Sequence, residues 1–548
     1  MLALSAIAWG PAGMDSTAQT LQTGPYVLTF HSDVDDSDQP YAIYVPRTYD
    51  PSRKYPLVVS LHGSGSNHRL DLRRVFGKGN LGGESDAHAS RYFPQWQDVD
   101  FIVASPLARG TMGYQGIAEK DVYDVLDDVK KRFSIDEDRV YLTGLSMGGG
   151  GALWLALTRP DVWAAVAAIC PSGPPGTEEF AANALHLPIH LFHGALDPLV
   201  PVQGIRQWNA LLEQSGAQIE YTEYARARHN SWDFAYKDEA IFDWFSRFHR
   251  NRYPERVRFV SESYKYSSAY WVQLDGLTPG VAASIDARFA APNRVVVETR
   301  SLPGFTLKIA GHPSYSSSGP IAVTIDGQAV RLGRSLSFSK GPRGWQSTPL
   351  VIPAGAKRGG AEGPISEAIS ARHVYVYGTA GPAPAEELEK RQNVALQAAA
   401  WSSPAEPLAL SFRVVSDKEI DPRGLENASL VLFGTKETNV AIARLAPTLP
   451  LALNSSAADY GLLFIYPMNG HYALVNSGLP WWTGMDEAGF SGPAFVPLSL
   501  RILLSLGDYV LFKGSLENVV ASGRFDNNWK IPATDARQLR ASGAVEIK

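Results

Sequence analysis

The most informative segment of the sequence is Val140-Tyr-Leu-Thr-Gly-Leu-Ser-Met-Gly-Gly-Gly150. Four mostly β-prone residues lead into Gly144-Leu-Ser-Met-Gly148, and a helical pattern follows. A strand, a very tight turn and a helix form a nucleophile elbow, whose strained backbone lifts the Ser146 hydroxyl out of the sheet. By itself the G-x-S-x-G pattern is equally typical of a glycine-rich turn whose serine only caps the helix. The rest of the chain must therefore supply a base, an acid and an oxyanion hole.

A second glycine-rich loop lies upstream of the elbow. Tyr55-Pro-Leu-Val-Val-Ser-Leu61 is a continuous apolar run, which predicts a strand buried on both faces of a parallel sheet. It ends in His62-Gly-Ser-Gly-Ser66, where backbone N–H groups are free to point into a site. We expect an oxyanion hole in which Met147 supplies one N–H and Ser64 or Gly65 the other. The alternative is a flexible loop.

A carboxylate and a histidine follow in the chain order that this chemistry requires. Asp197 comes just after an apolar run, and His229 follows the next strand pattern. Both are predicted at the carboxyl ends of parallel strands, where such sheets place their chemistry. Taken alone, Asp197 is equally a turn or capping aspartate, and His229 a surface histidine. Together with the elbow, the order Ser146, Asp197, His229 predicts a catalytic triad.

Three further residues are candidates for substrate binding. Trp232 lies three positions after His229 and is placed to wall the substrate cleft, although packing against the last helix is an equal alternative. Arg109 and Tyr114 lie in a long loop after a predicted strand of the sheet, from which they are expected to reach the substrate. No cluster of cysteine and histidine suggests a metal site, and the triad requires no cofactor.

The pattern of strands and helices divides the chain into regions. Apolar strands alternating with amphipathic helices predict a mostly parallel α/β sheet with helices on both faces. Short alternating strands with turn signals then predict an immunoglobulin-like β-sandwich, and a second, smaller α/β pattern follows. The predicted division is a truncated signal or disordered segment at 1–20, a catalytic domain at 21–252, a β-sandwich at 253–350 and a C-terminal α/β accessory domain at 351–548.

Four segments carry a resemblance to a known family. They are Pro56-Leu-Val-Val-Ser-Leu-His-Gly63, Arg139-Val-Tyr-Leu-Thr-Gly-Leu-Ser-Met-Gly-Gly149, His193-Gly-Ala-Leu-Asp-Pro-Leu-Val-Pro201 and His229-Asn-Ser-Trp232. Residues from about 40 to 250 resemble the α/β-hydrolase superfamily. They look most like bacterial secreted esterases of the polyhydroxybutyrate-depolymerase and feruloyl-esterase type, and like the catalytic domain of prolyl-oligopeptidase-like proteins. The resemblance implies the α/β-hydrolase fold and a serine hydrolase, and it covers somewhat under half of the chain.

Composition and charge restrict the partners. The chain has 548 residues, a net charge of −5 and a single cysteine, Cys170, which excludes an intrachain disulfide. The charge gives no sign of nucleic-acid affinity, and no later segment is apolar enough to span a membrane. The run Leu2-Ala-Leu-Ser-Ala-Ile-Ala-Trp9 reads as a clipped or mis-started signal peptide, although it lacks a positive amino-terminal region. It predicts a secreted or periplasmic bacterial protein, with a disordered tail and a cytoplasmic location as the alternative.

The leading prediction is a serine carboxylesterase that acts through an acyl-enzyme, with acetyl or feruloyl esters of plant polysaccharides among its expected substrates. The alternative is a serine peptidase of the prolyl-oligopeptidase type. Against it, no repeating four-stranded blades precede the hydrolase, and nothing before Gly63 offers an acidic pair to bind an amine. A third class is a non-catalytic binding protein on a hydrolase scaffold. The acyl and alcohol groups, the oligomeric state and the role of the downstream regions stay open.

Overall fold

The computed structural model describes residues 22–333, 335–401, 408–420, 427–485 and 498–548. The apolar amino-terminal run on which the export prediction depends lies outside these residues. Across the part of the chain that is described, no helix is both long enough and apolar enough to cross a membrane.

The first sheet is built from apolar runs that are buried on both faces. Among the described residues it has eight strands, β1 Gly24–Ser32, β2 Ser37–Val45, β3 Tyr55–Leu61, β4 Ile102–Pro106, β5 Ile135–Leu145, β6 Ala165–Ile169, β7 Ile189–Gly194 and β8 Ile219–Tyr224. Their spatial order is β1-β2-β4-β3-β5-β6-β7-β8. Strands β1 and β2 pair antiparallel, β2 pairs antiparallel with β4, and β3 to β8 run parallel. The predicted, mostly parallel α/β-hydrolase sheet is confirmed.

Helices cover both faces of this sheet. They are α1 His68–Val75, α2 Asp86–Ala89, α3 Ile117–Arg132, α4 Met147–Thr158, α5 Val202–Gln214, α6 Trp232–Ala235 and α7 Ala240–Ser246. Alternate residues of β3 enter different cores, as the two-residue period of a strand requires. Leu57 and Val59 pack with Val122 of α3, whereas Val58 packs with Leu72 of α1 and Phe242 of α7.

The second region is a pair of facing β-sheets. Its strands are β9 Arg256–Ser261, β10 Ser268–Ala269, β11 Val272–Leu274, β12 Ala283–Ala291, β13 Arg294–Arg300, β14 Gly304–Leu307, β15 Ala322–Ile325, β16 Gln328–Val330, β17 Ser337–Gly341 and β18 Gly344–Gln346. The sheet orders are β16-β15-β13-β12-β9 and β10-β11-β14-β17-β18. Both sheets contribute to one apolar core, in which Trp271 and Trp345 are buried.

The third region holds a mixed sheet with helices. Its elements are α8 Ile365–Ala368, β19 His373–Tyr377, α9 Ala385–Ala399, β20 Val414–Ser416, β21 Ser429–Phe433, α10 Val440–Leu445, β22 Leu451–Leu453, β23 Tyr460–Met468, β24 His471–Gly478, α11 Leu498–Ser505, β25 Tyr509–Lys513, β26 Ser515–Gly523, α12 Ala533–Ala541 and β27 Val545–Ile547. The described part of the sheet has the order β20-β19-β21-β24-β23-β25-β26. Its first four strands are parallel and the others antiparallel.

Buried charges join the three regions. Glu119 of α3 accepts a hydrogen bond of 2.7 Å from the Tyr266 hydroxyl and pairs with Lys265 at 3.0 Å. Glu362 of the third region accepts hydrogen bonds of 2.7 Å and 2.9 Å from the backbone N–H groups of Tyr264 and Lys265. Burial raises the pKa of Glu362 to about 7 against the opposing effect of these hydrogen bonds. The linker after β9 is therefore held from both sides.

Arg109, in the loop after β4, is fully buried. Its Nε lies 2.6 Å from Asp121, and Nη1 lies 2.8 Å from both Asp35 and the Ala409 carbonyl oxygen. Its Nη2 donates to the Ser32 hydroxyl at 2.6 Å. The prediction that Arg109 contacts the substrate is contradicted, because each of these nitrogen atoms forms a hydrogen bond with an acceptor inside the protein. The guanidinium instead links the first region to the third region.

The Arg109 network makes a prediction about stability. Replacement by Ala leaves the carboxylates of Asp35 and Asp121 buried without their cation, which typically costs about 3–5 kcal/mol. We expect Arg109→Ala to lower the free energy of unfolding by this amount, measured by urea denaturation. Arg206 is the matched control, because its ion pair with Glu223 is exposed and Arg206→Ala should shift the midpoint little. Equal shifts for the two variants would contradict the assigned role of the buried network.

Candidate active site

In the elbow between β5 and α4, backbone segments pack in direct contact with one another. A Cβ atom at Gly148 would lie 2.0 Å from the Leu61 carbonyl oxygen, and one at Gly144 would lie 2.3 Å from the Gly148 carbonyl oxygen. Side chains are thus excluded at both positions. Between them, Ser146 has φ 55° and ψ −117°, a conformation that costs energy for a residue with a side chain. The close packing holds this strain and presents the Ser146 hydroxyl at the edge of the sheet.

The structure brings Ser146, His229 and Asp197 into one hydrogen-bonded line. The Oγ atom of Ser146 lies 2.9 Å from Nε2 of His229, and Nδ1 of His229 lies 2.7 Å from Oδ2 of Asp197. Asp197 follows β7, and His229 lies in the loop that follows β8. These three side chains come from separate turns at the carboxyl edge of the parallel strands. Such a line can carry a proton away from a serine hydroxyl.

The environment of Asp197 favours its ionised form. Burial tends to raise the pKa of this carboxyl group. Hydrogen bonds from the Val200 N–H at 3.0 Å, from His229 and from the Leu199 N–H at 2.8 Å outweigh that effect, so the pKa is lowered. A second histidine, His193, lies 3.5 Å from the same carboxylate, and burial lowers the pKa of its imidazole. Asp197 is therefore a fixed negative charge beside the His229 ring.

The predicted oxyanion donors lie on two adjacent loops. A Cβ atom at Gly63 would lie 3.5 Å from Cβ of Ser146, so the loop after β3 adjoins the elbow. The Gly65 N–H donates to the Thr111 hydroxyl at 3.3 Å. Among the described residues, the N–H groups of Ser64 and Met147 have no hydrogen-bond partner. This difference favours Ser64 over Gly65 as the partner of Met147.

Tyr114 is buried beneath the loop after β3. It is 2% exposed, and its hydroxyl donates to the His62 carbonyl oxygen at 3.0 Å. The His62 ring nitrogens lie 2.8 Å from the Gly63 carbonyl oxygen and 2.9 Å from that of Leu107. The prediction that Tyr114 contacts substrate is contradicted by this burial. Tyr114 and His62 instead hold the loop after β3 against the loop after β4.

Trp232 lies beside His229. Its ring is 5.6 Å from the His229 ring, edge to face, and it is only partly buried. The guanidinium of Arg74 stacks over the same indole at 5.4 Å. Arg74 also lies 3.5 Å from the Ser66 hydroxyl and 3.1 Å from Asp86. Sequence reasoning missed Arg74, because a single arginine on the surface of α1 carries no motif.

Within the described ranges, no group of three or more His, Cys, Asp or Glu side chains is arranged to hold a metal ion. Cys170 is buried, and burial raises the pKa of its thiol to about 12. At neutral pH that thiol is un-ionised and is not a competing nucleophile.

Comparisons with known proteins concern the first region. Residues 33–233 match the family described as "Putative esterase". Feruloyl esterase C of Emericella nidulans is 25% identical over 179 residues, which are 32% of this chain and 62% of that protein. The bifunctional acetylxylan esterase/xylanase XynS20E of Neocallimastix patriciarum is 28% identical over 155 residues, which are 28% of this chain and 20% of that protein. The solved structure of a thermostable esterase is 28% identical, with a TM-score of 0.32, over 41% of this chain and 63% of that one.

The matched part therefore spans less than two thirds of the length of these relatives. The family match, residues 33–233, contains Ser146, Asp197 and His229, together with the whole loop after β3. Over residues 33–233, the predicted resemblance to α/β-hydrolase esterases of the feruloyl-esterase type is confirmed.

Proposed function

We propose that the protein is a serine carboxylesterase in which Ser146 is the nucleophile, His229 the general base and Asp197 the acid of a catalytic triad. The observation that carries this proposal is the unbroken hydrogen-bonded line from Asp197 through His229 to Ser146. The likeness of residues 33–233 to esterases supports it. In this proposal residues 21–252 are the catalytic domain, and residues 253–350 and 351–548 are accessory domains.

The proposed reaction begins at the Ser146 hydroxyl. His229 removes its proton through Nε2 as the oxygen attacks the carbonyl carbon of the ester. Asp197 holds the Nδ1–H of the ring and stabilises the imidazolium that forms. His229 then gives the proton to the departing alcohol and leaves an acyl group on Ser146. Water, activated by the same histidine, hydrolyses this acyl-enzyme and restores the serine.

Negative charge on the carbonyl oxygen requires donors that are already in place. We assign this role to the backbone N–H groups of Met147 and Ser64, since neither is used within the described structure. The loss of one such donor typically costs about 3 kcal/mol of barrier. The amino-terminal end of α4 adds the positive end of a helix dipole at the same place.

For the substrate, we propose acetyl or feruloyl esters carried by plant polysaccharides. Support comes from the names of the relatives, which are a feruloyl esterase and an acetylxylan esterase. The partly buried Trp232 ring, stacked under Arg74, forms the wall of the cleft beside His229 in this proposal. A flat apolar ring at this position suits the planar acyl group of an aromatic ester.

Removal of the nucleophile is the first test. We expect Ser146→Ala to reduce the kcat for p-nitrophenyl acetate by at least about 1,000-fold, because no acyl-enzyme can form. Ser64→Ala is the matched control, since it removes a hydroxyl of the oxyanion loop but keeps the backbone N–H. Its activity should stay within a few-fold of the wild type. Near-wild-type turnover by Ser146→Ala would exclude Ser146 as the nucleophile.

Asp197 provides a second test that keeps the shape of the site. Asp197→Asn replaces the fixed carboxylate by a neutral amide, which favours the wrong tautomer of His229 and cannot stabilise the imidazolium. We expect a fall in kcat of about 1,000-fold or more, with KM changed far less. Steady-state kinetics on an aryl ester measure both constants. A variant that loses affinity but keeps kcat would show that Asp197 has another role.

The reaction class can be separated from the peptidase alternative with three substrates. p-Nitrophenyl acetate, methyl ferulate and an aminoacyl p-nitroanilide are compared under one set of conditions. We expect hydrolysis of both esters and at least about 100-fold slower cleavage of the anilide, because the site is proposed for an alcohol leaving group. Anilide cleavage at a rate similar to that of the esters would overturn the carboxylesterase assignment in favour of a peptidase.

A further inference from the structure

A cleft of about 450 Å³ lies on the second region, and none of Ser146, Asp197 and His229 lines it. One wall is the outer face of the sheet that contains β11, β14 and β17, and another is the segment after β18. Arg358 and Gly359 of the third region close one side. The volume lies within the range of about 300–1,000 Å³ that is usual for small-molecule sites.

The sheet wall carries a row of polar side chains. Gln273 pairs with Thr306 across β11 and β14, and Thr306 pairs with Ser337 across β14 and β17. The neighbours of Thr306 and Ser337 along their strands, Phe305 and Phe338, point into the buried core, so the row itself faces the cleft. The three side chains therefore lie side by side across three strands, at one level of the sheet.

The donors and acceptors of this row are only partly used within the protein. The Thr306 hydroxyl oxygen lies 2.5 Å from the Asp275 carboxylate and 2.8 Å from the Ser337 hydroxyl. Within the described ranges, the side-chain amide of Gln273 and the guanidinium of Arg358 have no hydrogen-bond partner. The cleft thus offers an amide, hydroxyl groups, a carboxylate and a guanidinium to whatever enters it.

The opposite wall is apolar. Pro349, Leu350 and Ile352 line it after β18. Leu350 packs closely against the sheet. A Cβ atom added at Gly304 would lie 2.8 Å from the Cβ atom of Leu350. Tyr264 lines the same cleft, and its hydroxyl is fixed by a hydrogen bond of 3.1 Å to the Leu277 carbonyl oxygen. A ligand here meets hydrogen-bonding groups along one side and carbon along the other.

We propose that this cleft binds a neutral oligosaccharide chain, at a site separate from the catalytic triad. A pyranose ring has hydroxyl groups along its edges and an apolar face of C–H groups, which matches the two walls. The Asp275 carboxylate repels an anionic ligand and the Arg358 guanidinium repels a cationic one, so a neutral ligand is favoured. A purely apolar ligand would leave the polar row desolvated and unpaired, which is costly.

The test is direct binding, measured by isothermal titration calorimetry with the full chain and xylohexaose, a neutral sugar that carries no ester. We expect saturable binding that Gln273→Ala and Thr306→Val each weaken at least fivefold. Gln346→Ala is the matched control, because Gln346 is an exposed polar residue of β18 in the same sheet but outside the cleft. Thermal unfolding of each variant checks that the sandwich remains folded.

Two further measurements distinguish binding in this cleft from binding beside the triad and from attraction by charge alone. Trp232→Ala alters the proposed catalytic cleft and should leave xylohexaose binding unchanged. A hexamer of galacturonic acid, which is anionic, should bind at least fivefold more weakly than xylohexaose. The proposal is overturned by the absence of saturable binding, by binding that Trp232→Ala abolishes but Gln273→Ala does not, or by tighter binding of the acid. These binding measurements do not depend on catalysis by Ser146. They can therefore be interpreted even if the proposed esterase activity is wrong.

Discussion

The contact between the Gly148 position and the Leu61 carbonyl oxygen is the constraint from which the site follows. Helix α4 can approach the end of β3 only because no side chain stands at Gly148. In the same turn Ser146 adopts a positive φ and adjoins the loop that contains Ser64. The proposed nucleophile and the two proposed oxyanion donors therefore lie next to one close backbone contact.

The loop after β3 is held in turn by the loop after β4. Tyr114 donates to the His62 carbonyl oxygen, the His62 ring lies against the Leu107 carbonyl oxygen, and Thr111 accepts from the Gly65 N–H. The second loop is anchored by the buried guanidinium of Arg109. Hydrogen bonds from the loop after β4 thus support the loop after β3, and the oxyanion donor proposed on the latter is a backbone group.

The parts that the sequence predicted are those in which local pattern and chain order carry the information. The elbow glycines, the buried strands and the succession Ser146, Asp197, His229 can all be read without knowledge of distant contacts. Arg109 was misjudged because one of its acceptors, the Ala409 carbonyl oxygen, is 300 residues away. A polar residue in a loop next to a predicted site looks the same whether it faces the substrate or a buried aspartate. The acidic stretch around Asp35 was the available signal.

The bond from Arg109 to the Ala409 carbonyl oxygen also bears on how such a protein can be divided. The same carbonyl accepts a hydrogen bond of 3.3 Å from Gln39, and the Ser411 N–H donates to Asp35 at 3.2 Å. If the first region were expressed alone, Arg109 would lose the Ala409 carbonyl oxygen as a hydrogen-bond acceptor. The surface that the C-terminal segment covers would also become exposed to water. The loop after β4, which contacts the loop with the proposed oxyanion donor Ser64, contains Arg109. An exchange of the first region or of the C-terminal segment for a homologous part must therefore preserve both sides of this contact.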